Sequence, residues 1–240
     1  MLPKIDTPVY ELELPLSKKV IKFRPFLVKE QRNLLMAMES DESDTIIKNI
    51  KQILINCTLS DNINFDDLPV VDIEYYFLNL RARSSGEIVD LKYICNNEVD
   101  GKECGNTMET SINILEVKVD GYEPDKNLID IGSNIVIKLK YPRFGVVKDF
   151  ENVTDITELA IKMIADSIEY IFDGEQYYYS SDVPQDELIQ FIESLNQNQF
   201  EKLEKFFDNI PKLQKDINIK CSKCGFPHVI HVEGLEDFFG

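Results

Sequence analysis

The chain has 240 residues, of which 43% are hydrophobic, and it includes 14 Phe and 10 Tyr. This composition is typical of a folded globular protein and differs from the low hydrophobicity of disordered chains. The formal net charge is -17, from 43 acidic and 26 basic side chains. Because nucleic-acid affinity comes mainly from Lys and Arg side chains that displace counterions, this charge argues against a nucleic-acid partner. It suits partner proteins with basic surfaces, or a solvated face that serves only solubility.

The sequence contains neither a membrane span nor an export signal. No apolar run approaches the roughly 20 residues that cross a bilayer, and the start of the chain lacks the charged and then apolar plan of a signal peptide. We therefore expect the protein to stay in the cytoplasm in which it is made, with no membrane partner. In a reducing compartment five cysteines do not predict a disulfide framework, and the odd count argues against complete pairing.

The first half of the sequence predicts a hairpin, three helices and a strand. Apolar residues alternate with charged ones across 10–24, which indicates a β-hairpin. Apolar stripes of helical period predict helices over 27–39 and 46–57, and a third helix after Pro69. Alternation returns over 89–95 and places a strand that runs straight into a cysteine.

The second half predicts two strands, three helices and a closing hairpin. In chain order these cover residues 110–119, 134–141, 154–172, 184–195, 200–210, and 217–221 with 229–232. Asp155 and Glu158 match the capping-box spacing at the start of the most clearly amphipathic helix. Pro184 opens the next helical region and Pro211 ends it.

Four of the five cysteines occur in two turns. Cys221 and Cys224 lie on a tight turn with Gly225, after a strand, and such a turn can point both sulfurs at one tetrahedral zinc ion. Cys95 also ends a strand and is joined to Cys104 by a polar loop. The eight residues between Cys95 and Cys104 exceed the roughly two to four of a zinc knuckle, and 116 residues separate the two turns. We predict that the four bind one structural Zn²⁺; ordinary reduced cysteines are the alternative.

The fold class follows from the segregation of period-two and helical stretches. It predicts a single α+β domain over residues 1–240, mainly antiparallel sheet. The flanking helices are expected near residues 28–58, 70–84 and 154–172. The two cysteine turns add a zinc-ribbon-like subregion that comprises residues 87–119 and 213–233.

The remaining cysteine and the two histidines have competing interpretations. Cys57 lies on the apolar stripe of its helix and is interpreted as a small core residue. His228 and His231 follow the Cys221 turn, so one of them could replace a thiol in a mixed site. The alternative for both is a hydrogen-bonded or surface imidazole.

Motifs for enzymatic chemistry are missing. A redox CxxC needs its first thiol at a helix N-terminus, and Gly225 and Pro227 disfavour a helix there. A zinc-deaminase site also fails, because Lys220 and not Pro precedes the first cysteine, and the HxE at His231 comes after the pair. Neither nucleotide-binding glycine motifs nor GxSxG or HExxH occurs. The sequence therefore predicts a protein that is not an enzyme.

Several segments together resemble the baseplate hub subunit and hub assembly family of T4-like phages. They are VIKFRPFLVKEQ at 20–31, the cysteine turns, KLKYPR at 138–143, FIESL at 191–195, QFEKLEKFF at 199–207 and GLEDFF at 234–239. The resemblance spans most of the chain, and none of these segments is a catalytic signature.

The resemblance implies a late phage protein that helps to build the central hub of the tail baseplate through contacts with other hub or tail proteins. It places the protein in the host cytoplasm during assembly, with the virion tail baseplate as a later location. A hub-assembly or tape-measure chaperone that is absent from the finished virion is the first alternative. A zinc-ribbon redox or nucleic-acid-binding module is the alternative of another class. The apolar groups of the terminus, Leu235, Phe238 and Phe239, are expected to dock on the domain itself or on another protein.

Overall fold

Every strand pair in the described part of the chain is antiparallel. The computed structural model describes residues 5–38, 43–121, 126–146, 155–234 and 237. Its helices are α1 (Val28–Met38), α2 (Ser43–Cys57), α3 (Val70–Ser85), α4 (Ile156–Ser167), α5 (Gln185–Glu193) and α6 (Gln197–Asp208). Its strands are β1 (Tyr10–Glu13), β2 (Val20–Phe23), β3 (Ile88–Ile94), β4 (Glu98–Val99), β5 (Lys102–Glu103), β6 (Thr107–Asn113), β7 (Lys118–Asp120), β8 (Leu128–Gly132), β9 (Ile135–Leu139), β10 (Ile168–Phe172), β11 (Tyr177–Tyr179), β12 (Lys212–Lys220) and β13 (Pro227–Glu233).

The chain divides into two compact units. The first unit comprises Met1–Ile63, Glu74–Asp120 and Lys212–Gly240, and the second comprises Asn64–Ile73 and Gly121–Pro211. The mixture of helices and antiparallel strands confirms the α+β class, whereas the single-domain organisation stays a prediction. The terminal docking groups Leu235, Phe238 and Phe239 lie outside the described residues.

The N-terminal hairpin has the predicted alternation. β1 pairs with β2 in a register that sets Tyr10 opposite Phe23. Ile21 and Phe23 are buried while their neighbours on β2 are exposed, which is the period of a strand with one face on a core. Phe23 packs edge-on against Tyr76 of α3, with ring centroids 5.3 Å apart. The hairpin is therefore held by an aromatic contact on the first unit's helix.

A core of the first unit lies where α3 meets the strands that lead to the cysteines. Its buried members are Leu78, Ala82, Val89, Leu91, Ile112, Ile114, Val117, Leu213, Ile217 and Val232. β12 pairs with β13 on one side and with β7 on the other, so Leu213 lies opposite Val119. This pairing joins the chain segments on either side of Gly121–Pro211, the larger part of the second unit.

The second unit is a four-stranded sheet of order β11-β10-β9-β8 with three helices packed on one face. The buried residues of the core cluster between this sheet and the helices are Ile131, Ile137, Leu139, Ile164, Ala165, Ile168, Ile171, Leu188, Ile192, Leu203 and Phe206. The Asp155 half of the predicted capping box is present, because its side chain accepts hydrogen bonds from the backbone N–H groups of Thr157 and Glu158. The Glu158 carboxylate instead accepts a hydrogen bond from Lys162. Asn196 and Gln199 form a full capping box on α6.

The predicted helix over 154–172 is wrong in its last turn. α4 ends at Ser167, and Ile168 already has an extended backbone, with φ -64° and ψ 128°. Residues 168–172 form β10, a strand between β9 and β11. Ile168 and Ile171 fitted a helical stripe, but Ile-Glu-Tyr-Ile-Phe is rich in the β-branched and aromatic residues that favour strands. Burial of both isoleucines is satisfied by the sheet instead.

A buried carboxylate fixes the start of α1. Glu30 is 1% exposed. It accepts hydrogen bonds from the Arg24 guanidinium at 3.1 Å and from the backbone N–H of Leu27 at 2.7 Å. Burial alone would raise the pKa of Glu30, but these donors and the positive charges of Arg24 and Lys29 hold it below its ordinary value of 4.5.

Glu30→Gln is expected to lower the free energy of unfolding by about 2 kcal/mol at neutral pH, because Arg24 loses its charged partner. A group whose folded pKa is lowered contributes stability above its unfolded pKa, and this is lost as the pH falls through the folded value. The difference between the two proteins should therefore shrink below pH 4.5. Urea unfolding at neutral and acidic pH measures it. Lys29→Gln is the control, since that side chain is 72% exposed; an equal effect of both changes would contradict the assignment.

Candidate metal centre

The four cysteines of the two turns meet at one point of the first unit. Cys95 follows β3, Cys104 follows β5, and Cys221 and Cys224 lie between β12 and β13. Their sulfur atoms all lie within 4.8 Å of one another. Cys95, Cys104 and Cys221 are buried, and Cys224 is partly exposed. The predicted residues are thus brought together, although 116 residues separate the two turns.

A small hairpin explains how Cys95 and Cys104 form a turn despite their long spacing. Residues 98–103 fold back on themselves as β4 and β5. At its base, the N–H of Cys104 donates to the Asn97 carbonyl at 2.8 Å, and the N–H of Gly105 donates to the Cys95 carbonyl at 3.0 Å. Gly105 has φ +61°, a conformation that glycine adopts without strain. The extra residues therefore form a hairpin that leaves Cys95 and Cys104 close together at its base.

The second turn is shorter and has the same kind of closure. The N–H of Gly225 donates to the Cys221 carbonyl, and the N–H of Cys221 donates to the Phe226 carbonyl, both at 2.9 Å. Gly225 has φ +75° and sends the chain back into β13. The turn is followed by a strand and not by a helix. Both sulfurs of this CxxC turn lie within 4.8 Å of the two sulfurs of the first turn.

The sulfur spacing fits a tetrahedral metal ion. Sγ of Cys95 lies 3.7 Å from Sγ of Cys224, and Sγ of Cys104 lies 3.8 Å from Sγ of Cys221. In a tetrahedron with metal–sulfur bonds of about 2.3 Å the sulfurs are about 3.8 Å apart. Both of these contacts join one turn to the other. An ion at this position would therefore crosslink β3 and β12 and not only close a single loop.

Side-chain amides surround the thiols. Nδ2 of Asn97 donates to Cys224 at 3.7 Å, and Nδ2 of Asn106 donates to Cys221 at 3.5 Å. Such N–H to sulfur contacts stabilise thiolates and orient metal ligands. Neither Asn was predicted from the sequence, yet each stands two residues after a cysteine, in Cys-Asn-Asn and Cys-Gly-Asn. That repeated position is the signal that could have found them.

The pKa shifts of two thiols run in opposite directions. Backbone N–H groups of Cys224 and Lys223 point at the sulfur of Cys221 and lower its pKa. Burial raises the pKa of Cys95, and the neighbouring thiols raise it further. The site alone therefore favours the thiolate form of Cys221 and disfavours that of Cys95. A divalent cation bound here would supply the positive charge that lets the buried Cys95 thiol lose its proton.

The histidines lie beside this group. Nε2 of His228 is 3.2 Å from Sγ of Cys95, and the His228 ring packs edge-on against Phe226. His231 faces away, with Nδ1 2.6 Å from the Asp216 carboxylate. That carboxylate is the main cause of a raised pKa for His231. In the described part of the chain the converging ligand group consists of the four cysteines, so the geometry favours four thiols over a mixed site.

Cys57 is separate from this group, as its place on the helical stripe predicted. It is fully buried at the end of α2, where its sulfur is 3.7 Å from the Arg24 guanidinium. Burial raises the pKa of Cys57 to about 11. The thiol therefore stays protonated at neutral pH and acts as a small core side chain.

The chain belongs to the family described as T4 bacteriophage base plate protein, whose sequence profile matches residues 7–240. This confirms the resemblance seen in its motifs. One relative is the baseplate hub assembly protein gp26 of Enterobacteria phage T4, which is 26% identical over 231 residues. The match covers 96% of this chain and 97% of the relative. No solved structure matches the chain. Among the described residues, no helix has both the length and the apolar character that a membrane span requires.

Proposed function

We propose that this protein is a non-enzymatic structural or assembly protein of the tail baseplate hub of a T4-like phage, and that it acts through contacts with other baseplate hub or tail proteins. The observation that carries the proposal is the family match over residues 7–240. A relative of nearly the same length is named for hub assembly. That name favours a role during assembly in the host cytoplasm over a purely structural role in the finished tail. A chaperone that leaves before the virion is complete is therefore the second candidate.

The proposal includes one structural Zn²⁺ held by Cys95, Cys104, Cys221 and Cys224. Four thiolates complete a tetrahedral shell, so they leave no open position for a substrate or a catalytic water. The spacing of 3.7 and 3.8 Å between sulfurs of different turns supports this ligand set. Residues 87–119 and 213–233 would then form a zinc-ribbon-like subregion around the ion.

The geometry of the Cys221 turn and the net charge of the protein weigh against a redox module and a nucleic-acid-binding module. A redox CxxC depends on a helix N-terminus that exposes and activates its first thiol. Here Cys221 is 2% exposed and its turn leads into a strand. A nucleic-acid module is disfavoured by the net charge of -17.

The ion would stabilise the first unit by linking chain segments far apart in sequence. β12 already pairs with β7, and the metal would add a second tie at the other end of β12, beside Cys221. Because a preformed site does not exist in the unfolded chain, metal-binding free energy becomes folding free energy. The first unit would then present its surfaces to hub partners in one fixed arrangement.

Purified protein is expected to contain one zinc per chain. Cys221→Ser should lose the metal and lower the melting temperature by about 5 °C or more, because the crosslink between the turns is broken. Elemental analysis and thermal unfolding measure the two effects. Cys57→Ser is the matched control, since Cys57 is also buried but lies outside the sulfur group; its zinc content should equal that of the wild type. Folded, metal-free protein of full stability would eliminate the site.

The role in assembly is tested during infection. A phage that carries Cys221→Ser should produce fewer complete baseplates and tails, whereas Cys57→Ser should produce normal numbers. Mass spectrometry of purified virions and of infected lysate locates the wild-type protein. Presence in virions supports a structural component, and presence in lysate alone supports the chaperone. Normal tail yield from a phage that lacks the protein would contradict both roles.

A further inference from the structure

The sheet of the second unit carries aromatic side chains on the face opposite its core. The register sets Tyr170 opposite Tyr179 and Phe172 opposite Tyr177, so these four side chains share one face. Ring centroids of Tyr170 and Tyr177 are 5.1 Å apart, those of Phe172 and Tyr177 are 4.6 Å apart, and those of Tyr177 and Tyr179 are 6.2 Å apart. We call this contiguous cluster of Tyr170, Phe172, Tyr177 and Tyr179 the tyrosine face.

The tyrosine face is open to solvent. Tyr177 is 54% exposed and Tyr179 is 47% exposed. Both lie on β11, which is the edge strand of the sheet, so the cluster continues to the border of the unit. Tyr178 between them pairs with Ile171 and shares the face on which that buried residue packs. Contiguous exposed aromatic surface is typical of an interaction site rather than of scattered surface residues.

Carboxylates lie beside the tyrosine face, on β10 and in its turn to β11. Residues 163–201 contain no Lys, Arg or His. Within this stretch Glu169 lies on β10, where it pairs with Lys138 of β9. Asp173 and Glu175 lie in the turn between β10 and β11. Asp173 is held next to β11 by hydrogen bonds from the backbone N–H groups of Glu175 and Gln176, and these lower its pKa so that it stays ionised. The carboxylates of this turn therefore adjoin the aromatic surface.

One cationic side chain of the protein itself, that of Lys138, already contacts this surface. Lys138 on β9 lies over the ring of Tyr170, with Nζ 5.6 Å from the ring centroid. The same ammonium group is 3.3 Å from the Glu169 carboxylate. An aromatic ring and a carboxylate thus bind one cation together, through the ring quadrupole and through charge. The exposed rings of Tyr177 and Tyr179 offer the same chemistry farther along the face.

We propose that the tyrosine face is a docking surface for a Lys- or Arg-bearing segment of a partner protein. The partner's cations would lie over the exposed rings, and the surrounding carboxylates would complement their charge. Acidic segments, including a second copy of this chain, would be repelled. This inference rests on the proposed function, since it assigns one surface through which the protein would contact its hub partners.

Peptide binding tests the surface without any baseplate assembly. The probe is a short fluorescein-labelled peptide of alternating Lys and Thr, and its fluorescence anisotropy is followed during titration with the purified full-length protein. The Tyr177→Ser/Tyr179→Ser double variant is expected to bind about fivefold more weakly or worse, because two ring faces are lost. Its net charge is unchanged, so general attraction to an acidic protein is the same. Tyr177→Phe/Tyr179→Phe should restore binding.

Tyr178→Ser is the matched control, because it changes the same residue type on the same strand but on the other face. It removes one hydrogen bond to Asp173, and the two backbone donors still hold that carboxylate in place. It should bind like the wild type, and circular dichroism should show that all variants are folded. The complex should weaken in added salt, and a peptide of alternating Glu and Thr should not bind.

Equal binding of the lysine peptide by the wild type and the double Ser variant would overturn the proposal. Binding of uncharged maltoheptaose in place of the lysine peptide would also overturn it and assign the face to carbohydrate. Either result leaves the role in hub assembly standing, because that role is tested by tail yield.

Discussion

The convergence of four sulfurs from two distant turns is the constraint on which the rest of the first unit depends. Cys104 and Cys221 are 117 positions apart, yet their sulfurs lie 3.8 Å apart. For this contact to form, β3 and β12 must end side by side, and β12 must pair with β7 and β13 in one register. The apolar core between α3 and these strands then follows from the same placement. Four cysteine sulfurs this close would form a stable arrangement with a bound divalent cation, whose charge offsets part of the charge of the thiolates.

The convergence of the four cysteines could be predicted from the sequence because the features of each cysteine turn are local. Each turn combines a strand end, two cysteines and a glycine, and those features can be read without the fold. The spacing of Cys95 and Cys104 exceeds that of a zinc knuckle when only the number of intervening residues is considered. The hairpin of β4 and β5 closes that distance with backbone pairing, which residue counting does not include. Asn97 and Asn106 escaped notice because an amide contact with sulfur depends on tertiary placement.

The helices and hairpins were also largely predictable, and the failure at residues 168–172 shows where periodicity is insufficient. Ile168 and Ile171 fit both a helical stripe and a strand of the sheet. Whether residues 168–172 form a helix or a strand depends on β9 and β11, which pair with this segment on either side. β9 is distant in sequence, and β11 has only three residues. Tertiary pairing therefore overrides the local pattern. The tyrosine face is a consequence of this pairing, because Tyr170 and Phe172 share a face with Tyr177 and Tyr179 only when residues 168–172 are extended.

Zinc coordination by the four cysteines is the central claim, and X-ray absorption at the zinc edge of the purified wild-type protein tests it most directly. The account predicts a first shell of sulfur alone, with about four atoms at about 2.3 Å. A shell containing nitrogen at about 2.0 Å would place His228 among the ligands in place of a thiol. A shell of oxygen, or no zinc absorption from folded protein, would contradict the account.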